Sequence, residues 1–329
     1  MTPKTTLLTL LILVLLLTSG LTTAQQQSGY DIALERIEAA QASGATSLDL
    51  RGLDLETLPL ELFQLSNLTA LDVWGNDLTS LPAEIGQLTN LIGLEVYDNQ
   101  LTSLPAEISH LSNLTYLGLS HNQLTSLRAE LFQLNNLTTL DLSYNRLTNL
   151  PAEIGQLNNL IQLSVWGNQL TSLPAEIGQL SNLSMLHVNS NQLTSLPTEI
   201  GYLSNLTELS AWNNQLTSLP AEIHQLSGLC VLNIRDNAFR HLPTQLADLP
   251  SMASGDCRID VEGNPLITPP EDVVAQGTPA ILDYLRNQAT MQAQQITLAI
   301  AGMVGLMAAF LLAFRWRTRR PARKKKREG

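Results

Sequence analysis

The chain contains no lysine between residues 25 and 314, and only 14% of its residues are charged and 5% aromatic. The phosphate-binding loop motif GxxxxGKS/T, whose lysine contacts the nucleotide phosphates, does not occur. This absence excludes nucleotide hydrolysis by a loop of that type.

Positive charge is also scarce outside the two ends of the chain. The whole chain carries a net charge of −11, but residues 315–329 contribute nine basic and one acidic side chain. With Lys4 set aside as well, residues 25–314 carry a net charge of −20. A segment this acidic would repel a nucleic acid, so we predict no nucleic-acid partner and favour either a basic partner or plain solubility.

One sequence motif repeats along most of the chain, and residues Leu68 to Leu88 contain a complete copy of it. Its asparagine recurs every 23 residues, at Asn76, Asn99, Asn122, Asn145, Asn168, Asn191, Asn214 and Asn237. A fixed period of this size indicates an array of stacked structural units, none of which is stable alone.

Each unit predicts a short strand followed by a helical return. Leu71 and Val73 alternate with polar or exposed positions, which is the period-two pattern of a strand with one buried face. Pro82 suits the first position of a helix, and Ile85 and Leu88 are three residues apart on one helical face.

The LxxLxLxxN core followed by LPAEIGQL resembles the leucine-rich repeat family over residues 46–287. This resemblance implies an α/β solenoid shaped like a horseshoe, with parallel strands on the concave face. It also implies that the repeated asparagine hydrogen-bonds the turn backbone of adjacent units. The closing segment resembles that of Roco proteins, but the GTPase domain that follows in those proteins is missing here.

The segments around the repeats predict an exported, membrane-anchored chain. An apolar run from Leu7 to Leu17 follows Lys4 and precedes small residues, as in a secretory signal peptide, although an uncleaved anchor is the alternative. Near the C-terminal end, residues 296–314 form a run of 19 residues without a charge, long enough to span a membrane. A basic block that would stay in the cytoplasm follows this span, and no LPxTG motif precedes it. The predicted segments are the signal peptide 1–24, a helical cap 25–45, about ten repeats 46–270, a capping helix 271–290, a transmembrane helix 296–314 and a basic tail 315–329.

The repeated asparagines are called the ladder asparagines below. The residues two positions before them form a column of candidate binding residues. Three of the four tryptophans in the chain fall in this column, and Tyr144 lies one position further on. Neighbouring strands are about 4.8 Å apart, so Trp74 and Tyr97 should touch. Exposed aromatic and arginine side chains typify recognition surfaces, although solvent-tolerated strand formers would give the same pattern. The candidates in and beside this column are Arg51, Trp74, Tyr97, Tyr144, Trp166, Trp212 and Arg235.

A second column, four positions before the asparagine, begins with Asp49, Asp72 and Glu95. This acidic strip would accept a basic peptide or a hard cation, and a simple solvated face is the alternative. The same column places His187 beside Ser164, but an open strand surface offers no preorganised oxyanion donors. We therefore predict no enzyme and no cofactor. No metal site is predicted either, since the histidines lack metal-ligand spacing.

Cys230 and Cys257 occupy equivalent positions on adjacent turns, seven residues before Asn237 and Asn264. Their expected separation of about 5 Å suits a disulfide, with two buried free thiols as the alternative. A further asparagine column contains N-x-S/T triplets, which would be glycosylation acceptors in a eukaryote, although the repeat template itself also generates them. These triplets lie at Asn67, Asn113, Asn136, Asn182 and Asn205.

Small residues recur every fourth position along the predicted span, at Ala301, Gly305, Ala309 and Ala313. Such a face lets two membrane helices pack closely, so a homodimer is possible through it, while small residues are also common in membrane helices generally.

The sequence as a whole predicts a single-pass protein of the cell membrane, with the repeats outside and the basic tail in the cytoplasm. The concave face would bind a protein, peptide or glycan, and the chain would serve as an adhesin, co-receptor or tethered scaffold. The alternative is a rigid acidic spacer without a specific ligand.

Overall fold

A computed structural model describes residues 28–254 and 257–318 of the 329-residue chain. The predicted signal peptide and the end of the basic tail, from residue 319, lie outside the described residues.

Ten short strands form one parallel sheet in which each strand pairs with the next along the chain. Equivalent repeat positions align across neighbouring strands, as in the pairing of Leu71 with Leu94. The strands are β1 Ser47–Asp49, β2 Ala70–Asp72, β3 Gly93–Glu95, β4 Tyr116–Gly118, β5 Thr139–Asp141, β6 Gln162–Ser164, β7 Met185–His187, β8 Glu208–Ser210, β9 Val231–Asn233 and β10 Arg258–Asp260.

The predicted helical returns are 3₁₀ helices of five residues. Pro82 is the extended residue before its helix, at φ −71° and ψ 156°, and not the first helical residue. The tighter 3₁₀ turn suits a five-residue return. These helices are Leu60–Gln64, Ala83–Gln87, Ala106–His110, Ala129–Gln133, Ala152–Gln156, Ala175–Gln179, Thr198–Tyr202, Ala221–Gln225, Thr244–Asp248 and Pro250–Ser254.

The core consists of leucine and isoleucine side chains between the sheet and these helices. The repeated asparagines link consecutive units at the sheet end of this core, as the resemblance implied. Asn145 accepts a hydrogen bond from the Leu124 amide at 2.9 Å and donates to the carbonyls of Leu119 and Leu142, at 2.9 and 3.1 Å. These buried asparagines thereby satisfy turn backbone that has no sheet partner.

The residue before each ladder asparagine has a left-handed backbone, which turns the chain out of the strand. Glycine occupies this position in several units, such as Gly75 at φ +67° and Gly167 at φ +68°. His121 and Tyr144 adopt the same conformation at φ +53° and +50°. Glycine or a short polar residue occupies the position in the other units, so His121 and Tyr144 are unusual only in carrying large rings there.

The first helix, α1 (Gly29–Ser43), covers the N-terminal end of the array. Ser28 and Asp31 form a capping box at its start. Its residues Ala33, Ile37 and Ala40 are buried, which is the helical spacing of a face packed on the first repeat.

The C-terminal end is covered by α2 (Glu271–Val274) and by the start of α3 (Thr278–Thr318). Ile281, Leu282 and Leu285 of α3 are buried against the repeats. The sequence suggested one helix for the cap and another for the span, but α3 continues through both. Among the described residues, its stretch Thr278–Phe314 is the one helix long and apolar enough to cross a membrane.

Candidate binding face

The concave face of the sheet displays the strand residues that alternate with the buried leucines. In β2, for example, Ala70 and Asp72 face outward on either side of the buried Leu71. Main-chain hydrogen bonds extend this register past the strands: the Gly52 amide donates to the Trp74 carbonyl at 3.0 Å. The two predicted columns therefore lie side by side on one rigid surface.

Trp74 and Tyr97 form the first aromatic cluster. Their ring centroids are 5.3 Å apart and the rings are inclined by 27°, so the contact predicted from strand spacing is present. Trp74 is 38% exposed, and Tyr97 is half-buried. The pair therefore offers a stacked aromatic surface to solvent.

His121, Tyr144 and Trp166 form the second aromatic cluster. The Tyr144 ring lies 4.2 Å from that of His121 and 4.3 Å, edge-on, from that of Trp166. The left-handed backbone of Tyr144 directs its ring over Gly167, where a Cβ atom would come within 2.9 Å of Cδ1. His121 was not among the sequence candidates, although a large ring at a turn position that otherwise carries glycine or a short polar residue was the available signal.

The predicted aromatic column is not continuous. Ser120 and Ser143, which lie between Tyr97 and Trp166 in the column, are buried, with exposures of 9% and 1%. Trp212 is half-buried and makes no ring contact with the described aromatic residues. Among the described residues, the concave face thus carries two aromatic clusters, the half-buried Tyr116 on β4 between them, and Trp212.

Both candidate arginines are already neutralised by neighbouring carboxylates. Arg51 contacts Asp49 at 2.8 Å and Asp72 at 3.3 Å. Arg235 lies 3.8 Å from Asp260 and 3.5 Å from Glu262. The arginines therefore sit at the two ends of the face in ion pairs, and do not form an anion site.

Glu95 and Asp141 differ, because neither has an arginine or lysine within 4.0 Å among the described residues. Partial burial raises the pKa of Glu95, and the nearby Asp72 adds to this effect. Burial likewise raises the pKa of Asp72, whereas the hydrogen bond from Arg51 lowers the pKa of Asp49. A partly desolvated carboxylate without a cation is stabilised by any cation that binds beside it.

A depression of about 320 Å³ adjoins the second aromatic cluster. Its lining includes Tyr116, Asp141, Ser164, Trp166 and His187. The volume is at the lower limit of a ligand pocket, so the depression fits a side chain rather than a whole small molecule.

The polar groups in this region do not form a hydrolase arrangement. His187 is 3.1 Å from Glu208, while the Ser164 hydroxyl contacts Ser143 at 2.6 Å. No cluster of histidine, cysteine or acidic residues in the described part of the chain has the geometry of a metal site.

The remaining candidates lie away from the concave face. The exposed asparagine column forms a second ladder; Asn136, for example, donates to the Ser112 carbonyl at 2.8 Å. Cys230 and Cys257 form a disulfide with their Cα atoms 4.5 Å apart. The small residues of the predicted dimer face are exposed along α3, at Ala301, Gly305, Ala309 and Ala313.

The family described as leucine-rich repeat region matches residues 47–146, 106–191 and 133–216, which together make up more than half of the chain. The chain belongs to the leucine-rich repeat family. The ten-stranded solenoid agrees with this assignment, and the asparagine ladder is the family feature that the sequence implied. No curated protein matches the chain.

Several solved leucine-rich repeat structures are similar. A leucine-rich repeat protein of Leptospira interrogans is 38% identical, with a TM-score of 0.59 over 72% of this chain and 65% of its own length. The ectodomain of the Arabidopsis thaliana receptor kinase GASSHO1/SCHENGEN3, in complex with CASPARIAN STRIP INTEGRITY FACTOR 2, is 33% identical, with a TM-score of 0.54 over 63% and 26%. The Arabidopsis receptor kinase HAESA, in complex with the peptide hormone IDA and the co-receptor SERK1, is 27% identical, with a TM-score of 0.59 over 68% and 39%. This leucine-rich repeat chain thus spans less than two thirds of each of these proteins.

Proposed function

We propose that this leucine-rich repeat protein is a membrane-anchored recognition module that binds an extended polypeptide on its concave face. It would act at the cell surface as an adhesin, co-receptor or tethered scaffold. The observation that supports this most strongly is the pair of aromatic clusters beside carboxylates on one rigid sheet. Aromatic side chains exposed together are typical of binding hot spots.

The surface around the clusters supports binding because its backbone is already ordered. Each turn donates a main-chain hydrogen bond to the next, as from the Tyr144 amide to the Trp166 carbonyl at 2.8 Å. Little conformational entropy would be lost on association, which favours affinity. The two Arabidopsis receptor kinases, solved with CASPARIAN STRIP INTEGRITY FACTOR 2 and with a peptide hormone, support a polypeptide ligand by analogy.

Membrane attachment is proposed through α3, with residues 1–24 directing export and the basic tail remaining in the cytoplasm. Residues 286–295 separate the last buried cap residue, Leu285, from the span. As a continuous helix these ten residues extend about 15 Å, because an α-helix rises about 1.5 Å per residue. The array would therefore be held close to the membrane on a helical stem.

Intact cells that carry the full chain provide a test of both parts of the proposal. External proteinase K is expected to remove the repeats and leave a fragment protected by the membrane. When an extract of surface polypeptides is added, cells not treated with the protease should bind polypeptides that protease-treated cells do not bind. A chain protected from the protease would contradict the topology, and equal retention by both samples would favour the acidic spacer.

A further inference from the structure

The two aromatic clusters share a chemical pattern. Glu95 lies two residues before Tyr97 on the same face of the sheet, beside the first cluster. Asp141 lies with Trp166 in the lining of the depression next to the second cluster. Each cluster therefore presents aromatic rings next to a carboxylate that has no arginine or lysine partner among the described residues.

This combination favours arginine over other ligand side chains. A guanidinium group stacks on aromatic rings by cation–π attraction and donates hydrogen bonds in its plane to a carboxylate. Arg51, the arginine beside the first cluster, is held in ion pairs with Asp49 and Asp72, so it would not repel a guanidinium there. An acidic peptide would meet like charge at Glu95 and Asp141. A neutral peptide would leave both carboxylates without a cation, although Asp141 accepts a hydrogen bond from Ser143 and Glu95 one from Tyr97.

The distance between the clusters sets the ligand spacing. The first cluster spans β2 and β3, and the contact between Tyr144 and Trp166 spans the turns after β5 and β6, three repeats further on. Strands about 4.8 Å apart place the cluster centres about 14 Å from each other. An extended peptide rises about 3.4 Å per residue, so about four residues cover this distance.

A spacing of four positions along the peptide is also consistent with the direction of its side chains. In an extended chain, residues that differ by an even number point to the same side. The side chains of residues i and i+4 would both point at the sheet. In a pair i and i+3, or i and i+5, one of the two side chains would point away from it. The geometry and the alternation thus select the same spacing.

We infer that the concave face recognises an extended basic peptide with two arginines separated by three residues, Arg-x-x-x-Arg. One guanidinium stacks on Trp74 and Tyr97 and pairs with Glu95. The other packs against Tyr144 and Trp166 and pairs with Asp141. This assignment rests on the proposed polypeptide-binding function and names the ligand class for it.

The test uses synthetic nine-residue peptides whose two arginines are separated by two, three or four glycine or serine residues. The full chain is placed in phosphatidylcholine nanodiscs, which carry no net negative lipid charge, and empty nanodiscs serve as the blank. Fluorescence anisotropy should show that Arg-x-x-x-Arg binds at least tenfold more tightly than either neighbouring spacing. The same peptide with lysines should bind more weakly, because an ammonium group cannot stack in the same way.

Variants identify the two subsites. Glu95→Gln and Tyr97→Ser should each weaken Arg-x-x-x-Arg binding about tenfold and remove the preference for that spacing. Tyr202→Ser serves as the control, because Tyr202 is an exposed aromatic residue in a return helix, 62% accessible and away from the sheet. It should leave both affinity and spacing preference unchanged.

Equal affinity for all three spacings would overturn the inference. So would retention of the spacing preference in Glu95→Gln and Tyr97→Ser. Capture of a polypeptide that lacks paired arginines, with loss of binding in Tyr97→Ser, would overturn the arginine assignment and leave the proposed function intact. Failure to bind any polypeptide would overturn both.

Discussion

Replacing Asn145 with alanine is expected to lower the free energy of unfolding by about 2–5 kcal/mol, because buried polar groups without a partner cost about 1–3 kcal/mol each. The change removes the acceptor for the Leu124 amide and the donor to the Leu119 and Leu142 carbonyls. Asn145 also lies near the middle of the array, where stability depends on coupling between neighbouring units. Urea unfolding of the full chain in maltoside micelles, followed by circular dichroism, should show a lower midpoint and a broader transition.

Asn136→Ala is the matched control in the adjacent repeat segment. Asn136 is exposed and donates one hydrogen bond, to the Ser112 carbonyl. Its loss is expected to cost less than about 1 kcal/mol, since water replaces the partner. Similar losses in the two variants would contradict the role of the buried ladder.

Replacing Trp74, Tyr97, Trp166 and Trp212 together with serine is expected to weaken polypeptide binding at least 100-fold. Truncation of a hot-spot aromatic residue commonly costs about 2 kcal/mol or more, and about 1.4 kcal/mol corresponds to a factor of ten. The loss affects both aromatic clusters, so no intact subsite remains. Anisotropy titration of a captured polypeptide, or of the Arg-x-x-x-Arg peptide, measures the change.

The fold should survive this fourfold change, because the four side chains lie on the concave face of the sheet and not in the leucine core. Circular dichroism and the urea midpoint should therefore stay close to those of the original chain. Tyr202→Ser controls for loss of an exposed aromatic residue from the opposite surface. Undiminished binding in the fourfold variant, or an equal loss in the control, would contradict the proposed face.

The architecture could be predicted from the sequence because a fixed 23-residue period determines which residues align on neighbouring strands. The contact between Trp74 and Tyr97 follows from that period and the strand spacing alone, and the structure confirms it. The asparagine ladder was implied by the resemblance to the leucine-rich repeat family, and the structure confirms it, as at Asn145.

The second cluster could not be derived in the same way, because it depends on backbone dihedral angles and side-chain orientation. Column position alone put Ser120 and Ser143 in an exposed row, but both are buried. Tyr144 reaches His121 and Trp166 because its left-handed backbone directs the ring across the turn. A period of 23 residues contains no information on that orientation.

The continuity of α3 was missed for a different reason. Hydropathy changes between the cap and the span, but hydropathy does not determine where a helix ends. Residues 286–295 contain neither glycine nor proline, so nothing in their sequence interrupts the backbone hydrogen bonds. The helix therefore passes from the cap into the apolar segment without a break.

The proposed function requires that ligand binds on the concave, strand-bearing side of the solenoid. Site-specific photo-cross-linking tests it most directly, with the photoreactive residue at Gln162, which lines the depression beside Trp166, or at Tyr202 on a return helix. A cross-linked polypeptide from position 162 and none from position 202 is the predicted result. Cross-linking from position 202 with none from position 162 would contradict the account.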